Sequence, residues 1–298
     1  MTDTIVADGF AFPEGPCFDA NGVLYLVEMA GGAVSRIIDG RKEIVVSTGG
    51  APNGAAFGPD GLLYFCNNGG HWPAAESTGN EHGLGGLQAA IQRITADGAV
   101  EDVVTEIDGT PLNSPNDICF DDAGGFWFTD PRWAPRRDDL SIDMSRVAAG
   151  DLGYVDSSGV ARRIVTRILF PNGVAVSEDG SRLYVDETAT GNVYEFPIDG
   201  PGELGDPVLY ASLGADAVPD GMAFDVRGRL YVASHGSGRV FVLEDGEVVE
   251  EILFDDPEIT NVCFGGEGNR TMFVTQCTRG AVARVEREVP GMVLFPAR

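Results

Sequence analysis

Three histidines in 298 residues leave little room for imidazole chemistry, and His71, His82 and His235 are too scattered to form a zinc-ligand spacing. Basic residues are also scarce: 20 Lys and Arg stand against 46 Asp and Glu, a formal charge of −26. Such a surface repels phosphate backbones and anionic lipid, which argues against nucleic-acid and membrane partners. Its plainest use is solubility. The five cysteines are odd in number and include no CxxC pair. Cys17, Cys119 and Cys263 fall at one position of a repeat, which holds them apart as small buried hydrophobes. No apolar run approaches bilayer length. The opening Met-Thr-Asp-Thr-Ile-Val lacks the basic and apolar segments of a signal peptide, so the expected location is cytoplasmic. GxSxG, Walker and HExxH motifs are missing, as is helical periodicity of useful length.

What is present is repetition. Six phrases begin Phe12-Pro13-Glu14, Ala51-Pro52-Asn53, Ser114-Pro115-Asn116, Phe170-Pro171-Asn172, Val218-Pro219-Asp220 and Ile259-Thr260-Asn261. Each continues with a short apolar run, a Gly-containing turn and a second apolar run rich in Tyr, Phe and Val. The third residues of the phrases are separated by 39, 63, 56, 48 and 41 positions, and the shorter intervals suit a four-stranded propeller blade. The fifth unit reads as strands over 221–224, 230–233, 239–243 and 248–253, with Gly228 and Asp245-Gly246 as hairpin turns. Radial closure protects strand edges that an open sheet of this size would expose. The expected fold is therefore all-β: one six-bladed β-propeller over 1–298 with a central metal site at one end of the channel. Its blades run approximately 10–50, 51–113, 114–169, 170–217, 218–258 and 259–298, the last closed by 1–9.

The two long intervals place insertions between the second and third strands of a blade. One runs from Asn67 to about Leu87 and contains His71, Trp72 and His82; the other runs from Asp130 to about Gly150 and contains Arg132, Trp133, Arg136 and Arg137. Both should overhang the face where the inner strands begin, and long loops in a compact fold commonly serve function.

Glu14, Asn53, Asn116, Asn172, Asp220 and Asn261 should all point to one end of the axis. Carboxylate and amide oxygens crowded there suit Ca²⁺, Mg²⁺ or Mn²⁺ rather than a soft metal. Two negative charges would balance a divalent ion and the Asn carbonyls would complete its shell. The bland reading, that Pro-Asn and Pro-Asp merely open turns, explains one copy better than six.

In Pro13-Glu14-Gly15-Pro16, Asn113-Ser114-Pro115-Asn116-Asp117, Phe128-Thr129-Asp130-Pro131, Pro171-Asn172-Gly173, Pro219-Asp220-Gly221-Met222 and Thr260-Asn261-Val262-Cys263-Phe264-Gly265-Gly266, the chain resembles the SMP30/gluconolactonase/luciferin-regenerating-enzyme family over nearly its whole length. The resemblance implies a divalent-metal-dependent lactonase acting on a small-molecule substrate. It also implies Glu14, Asn116, Asn172 and Asp220 as the ligands of one cation, calcium first and magnesium, manganese or zinc as the other choices. Asp220 is the expected general base and Asp117 the second choice. Asn53, His71, Trp72, Arg132, Trp133, Glu187 and His235 are the expected substrate-binding residues, and the chain is expected to be a monomer or small homo-oligomer. Animal aldonolactonases of the family carry Arg where this chain has Ser114, which places it nearer the microbial gluconolactonase-like branch. Trp72 and Trp133 could stack on a substrate ring or simply anchor their loops. Hydrolysis of phosphotriesters or other esters, and a non-enzymatic metal-binding propeller, stay open beside the lactonase.

Overall fold

In the computed structural model, residues 3–70, 87–133, 143–214 and 216–297 are described. Six antiparallel sheets of four or five strands follow one another along the chain. Each begins with an inner strand: Pro13–Phe18, Pro52–Phe57, Ile118–Phe120, Pro171–Val176, Pro219–Phe224 and Ile259–Gly265. Each inner strand contacts the next, and the sixth contacts the first, so the ring is closed. Thr4–Asp8 pairs with Ala281–Glu286 as the outer strand of the sixth sheet, joining the two ends of the chain in one blade. The fold is a six-bladed β-propeller. Among the described residues there is no α-helix, only 3₁₀ turns at Met144–Arg146 and Glu267–Asn269. None of the described helical segments is long and apolar enough to cross a membrane.

The apolar pattern of the repeat explains why the blades stack. Opposite each inner strand, Tyr25, Tyr64, Trp127, Tyr184, Tyr231 and Phe273 pair across the sheet with Cys17, Ala56, Cys119, Ala175, Ala223 and Cys263. A large ring directly opposite a residue leaves space only for a small one, which accounts for three of the five cysteines. The residue after each small one then meets the aromatic of the preceding blade. Tyr25–Phe57, Tyr64–Phe120, Tyr184–Phe224, Tyr231–Phe264 and Phe273–Phe18 all pack edge to face at 5.0–5.3 Å between ring centroids. Such pairs add about 0.5–1.5 kcal/mol each beyond the area they bury.

At the opposite end of each of the first five blades a buried polar side chain closes the second strand and holds the turn that leads into the inner strand. Glu28 accepts the Ala11 N–H at 2.8 Å, Asn67 that of Ala51 at 3.0 Å, Glu187 that of Leu169 at 2.7 Å, and Ser234 that of Val218 at 3.3 Å. In the third blade Asp130 accepts both Asn113 and Ser114 N–H groups. These turns would otherwise carry unpaired amides into a dry environment.

Residues 68–89 and 131–148 connect second to third strands, and those second strands end on the face where the inner strands start. At the other face the C-terminal segment returns beneath the axis, where Met292 N–H donates to Phe224 O at 2.8 Å and Val226 N–H to Pro290 O at 3.0 Å. Between that segment and the inner strands lies a cavity of about 350 Å³, its upper wall formed by Gly15, Asp117 and Asn261.

Candidate metal centre

Five of the inner strands shift register within the three residues after their first position. A bulge of this kind bends the strand and re-aims side chains. In the second, fourth, fifth and sixth blades it releases the second residue of the strand from the ladder and turns it toward the axis, whereas in the first Glu14 stays paired with Val27 and the shift follows it. Pro13, Pro52, Pro171, Pro219 and Ile259 are the equivalent first residues, because they pair with Glu28, Asn67, Glu187, Ser234 and Gln276.

That register corrects one expectation. The ring position in the sixth blade belongs to Thr260, and Asn261 sits one residue farther along, level with Gly15, Gly54, Asp117, Gly173 and Gly221. Asn261 and Asp117 are indeed alike: Asn261 Oδ1 accepts Val262 N–H at 2.8 Å, as Asp117 Oδ1 accepts Ile118 N–H at 2.9 Å. Their own N–H groups donate to Thr275 and Thr129 hydroxyls at 2.9 and 3.0 Å. The repeat itself held the signal. Placing Cys263 level with Cys17 and Cys119 forces Asn261 out of the ring position, whereas the Thr-Asn pair in place of Pro-Asn invited the slip.

The axis therefore carries two polar layers. The first is Glu14, Asn53, Asn116, Asn172, Asp220 and Thr260, all buried. The second is Asp117 and Asn261, joined by Asp186 from the second strand of the fourth blade, whose Oδ2 accepts Gly173 N–H at 3.1 Å. Asp186 was not legible from the phrases, which follow inner strands. Aligned instead by second strands, it is the only carboxylate in a set with Val27, Cys66, Thr129, Ala233 and Thr275. Glycines accept the second layer: a Cβ on Gly54 would strike Asp117 Oδ1, and one on Gly221 would strike the Asn261 amide. Gly221→Ala is expected to destabilise the protein by about 1–3 kcal/mol, the usual cost of overpacking, measurable by denaturant unfolding.

Burial governs the electrostatics. It pushes Glu14 from its ordinary 4.5 up to about 8, with Asp117 adding repulsion, and pushes Asp117 from 3.8 to about 7. Asp186 and Asp220 are raised well above the ordinary range by burial first and by neighbouring carboxylates second. Among the described residues no Lys or Arg forms an ion pair with any of these four. Carboxylates taken out of water without a counter-charge are costly unless protonated or bound to metal. Asn172 adds a direct indication, since its buried Oδ1 has no hydrogen-bond partner. An orphaned amide oxygen among unpaired carboxylates fits a hard cation by donor chemistry.

The other expected residues lie around this centre. Glu187 is buried, and its carboxylate is spent on Leu169 N–H and on the Thr190 hydroxyl at 2.7 Å each. His235 follows the second strand of the fifth blade; burial holds its pKa below the usual value, and its Nδ1 has no partner. Trp133 donates its indole N–H to Ser114 Oγ at 2.6 Å, and Arg132 beside it is exposed. His71 and Trp72, like His82, Arg136 and Arg137, lie outside the described residues.

Known proteins share this architecture. A protein named gluconolactonase from Zymomonas mobilis is 28% identical over 233 residues, covering 75% of this chain and 60% of that protein. The chain thus spans less than two thirds of that relative's length. Diisopropyl-fluorophosphatase from Loligo vulgaris is 25% identical over 306 residues, covering 95% and 91%. The solved structure of a gluconolactonase from Xanthomonas campestris superposes with a TM-score of 0.77 at 25% identity, covering 96% of this chain and 88% of that one. The model of the SMP-30/Gluconolactonase/LRE-like region matches residues 12–278, from the first blade into the sixth, and the chain belongs to that family.

Proposed function

We propose that the chain is a divalent-metal-dependent hydrolase that opens a small lactone by attack of water on the ring carbonyl. The observation that carries the reading is the cluster of buried, cation-free carboxylates around the orphaned Asn172 Oδ1. Glu14, Asn116, Asn172 and Asp220 would hold the ion, with calcium the first choice for an all-oxygen set. Bound there, the cation supplies a Lewis acid for the carbonyl and for the charge that develops on its oxygen. Glu14 and Asp220 balance its two charges, and the two asparagines present neutral oxygens.

Asp220 is the proposed base, accepting a proton from the attacking water on its carboxylate oxygen. It is the most exposed of the four proposed ligands, at 8% against 2–5% for the others. Asp117 is the second choice, because both its oxygens already accept backbone N–H groups, from Ile118 and Val174. Those bonds fix Asp117 below the ring. The similarity to proteins named gluconolactonase supports the lactone reading. Similarity to diisopropyl-fluorophosphatase along nearly the full chain favours a second one, hydrolysis of phosphotriesters by the same centre. A panel of lactones and phosphotriesters, assayed with and without EDTA under several divalent cations, tests both. Turnover insensitive to chelation would reject the metal, and absence of turnover with metal bound would favour a binding propeller.

Cation binding must displace protons from the raised carboxylates. An acid whose folded pKa exceeds its unfolded one makes the folded state bind more protons, so stability falls as pH rises between the two values. For Glu14 that window runs from 4.5 to about 8. Chelated protein should therefore melt at a lower temperature at pH 8 than at pH 5, and saturating calcium should raise Tm more at pH 8. A chelated Tm that climbs through this window would refute the assigned charge state.

A further inference from the structure

Six non-glycine residues among those described have positive φ, and four are Asp39, Asp108, Asp245 and Asn269, the short polar types that tolerate it. The other two are Phe12 at φ 56° and Phe170 at φ 59°. A bulky side chain in this region is an outlier, and such strain persists where the surroundings over-determine it, commonly at ligand clamps. Both phenylalanines immediately precede the Pro-Glu and Pro-Asn of the ring, in blades one and four, which stand opposite each other. Both are restrained in the same way. Glu28 and Glu187 hold the preceding N–H groups, while Phe12 O and Phe170 O accept from Met29 N–H at 2.9 Å and Thr188 N–H at 3.1 Å.

Other side chains join the two into a belt. Trp133 packs edge to face on Phe170, at 5.0 Å and 69°, and its indole N–H is fixed by Ser114. Trp133 and Phe12 both pack against Met29 and Ala51. On its far side Phe12 faces the His235 ring at 6.3 Å. The belt thus passes from blade five through one, two and three to four. The residues two before the ring positions in the first five blades are Phe12, Ala51, Ser114, Phe170 and Val218. Together they offer one hydroxyl, which already accepts the Trp133 N–H. Among the described residues, sugar hydroxyls buried against such a rim would find few partners beyond His235 Nδ1, whereas a flat apolar body would be covered on several sides.

We propose that Phe12 and Trp133, the latter backed by the buried Phe170, form an aromatic clamp at the mouth of the ring, selecting lactones with an apolar, flat or alkyl-bearing body over polyhydroxylated sugar lactones. The substrate class rests on the hydrolase reading above. It is tested with two six-membered lactones that differ in their bodies, benzene-fused dihydrocoumarin and glucono-δ-lactone, on calcium-loaded protein.

In the wild type kcat/KM should be higher for dihydrocoumarin. Trp133→Ala should lower the ratio of the two kcat/KM values about 10–200-fold, the range of contacts in an apolar pocket, mainly through KM. Trp133→Phe should restore most of the ratio. Phe170→Leu provides a second variant should Trp133→Ala fail to fold. A wild-type ratio below one, or a ratio unmoved by the variants, overturns the clamp. If neither lactone is hydrolysed, the hydrolase reading fails by itself, and calorimetric titration with dihydrocoumarin decides the clamp. Binding that Trp133→Ala abolishes supports it; no binding by the wild type overturns it.

Discussion

Asp220→Asn is expected to lower kcat by about 10²–10⁴-fold, the usual contribution of a general base, while the protein still binds its cation. Asparagine keeps an oxygen of nearly the same shape at the ring position but cannot accept a proton. The site around Asp220 predicts that the change will be tolerated structurally. Its carboxylate is buried beside Glu14, Asp186 and Asp117, all of which raise its pKa, and the Asn172 amide offsets this by donating to it. A neutral residue relieves that repulsion. Steady-state hydrolysis of the best lactone in the panel, alongside calcium titration of the variant, measures both quantities. Near-normal kcat with metal bound would reduce Asp220 to a ligand and move the base elsewhere, Asp117 being the next carboxylate.

Glu14→Gln should have the opposite profile, a large loss of calcium affinity with no separate defect in proton transfer. Glu14 is proposed to supply half of the charge that balances the ion, and no proton passes through it. Changes one shell out from a metal typically cost 10–100-fold in affinity, so loss of a charged ligand should exceed about 10²-fold. Glu14 Oε2 accepts Gly15 N–H at 3.1 Å and Asn261 Nδ2 at 3.4 Å, and a glutamine there keeps an oxygen for both. Calorimetry with calcium gives the affinity, and assay at saturating calcium should recover much of the activity. Unchanged affinity would remove Glu14 from the ligand set.

Much of this protein was legible because its repeat repeats one physical problem. A ring opposite a small residue, an edge-to-face contact with the next blade and a turn before each inner strand recur at fixed spacing. Periodicity thus reveals strand, blade and closure together. The fifth blade shows how closely: strands expected over 221–224, 230–233, 239–243 and 248–253 fall at Pro219–Phe224, Leu230–Ser234, Arg239–Glu244 and Glu247–Leu253. Small shifts at the ends reflect hydrogen bonding by the cap residues, which hydropathy does not register.

The sequence by itself determined the propeller and the identity of the oxygen-bearing residues that open five of its inner strands. Local pattern suffices for those, since each blade satisfies its own ladder. Tertiary structure alone decided which residues share a layer. The bulge in five of the inner strands sets whether a side chain faces the ring or the channel, and the register of the sixth places Asn261 in the second layer, level with Asp117. It also brought in Asp186, which reaches the axis from a second strand, and tied the Glu187 carboxylate into a turn. Register, bulge and burial depend on what lies across the sheet and in the next blade, and no run of neighbouring residues encodes that.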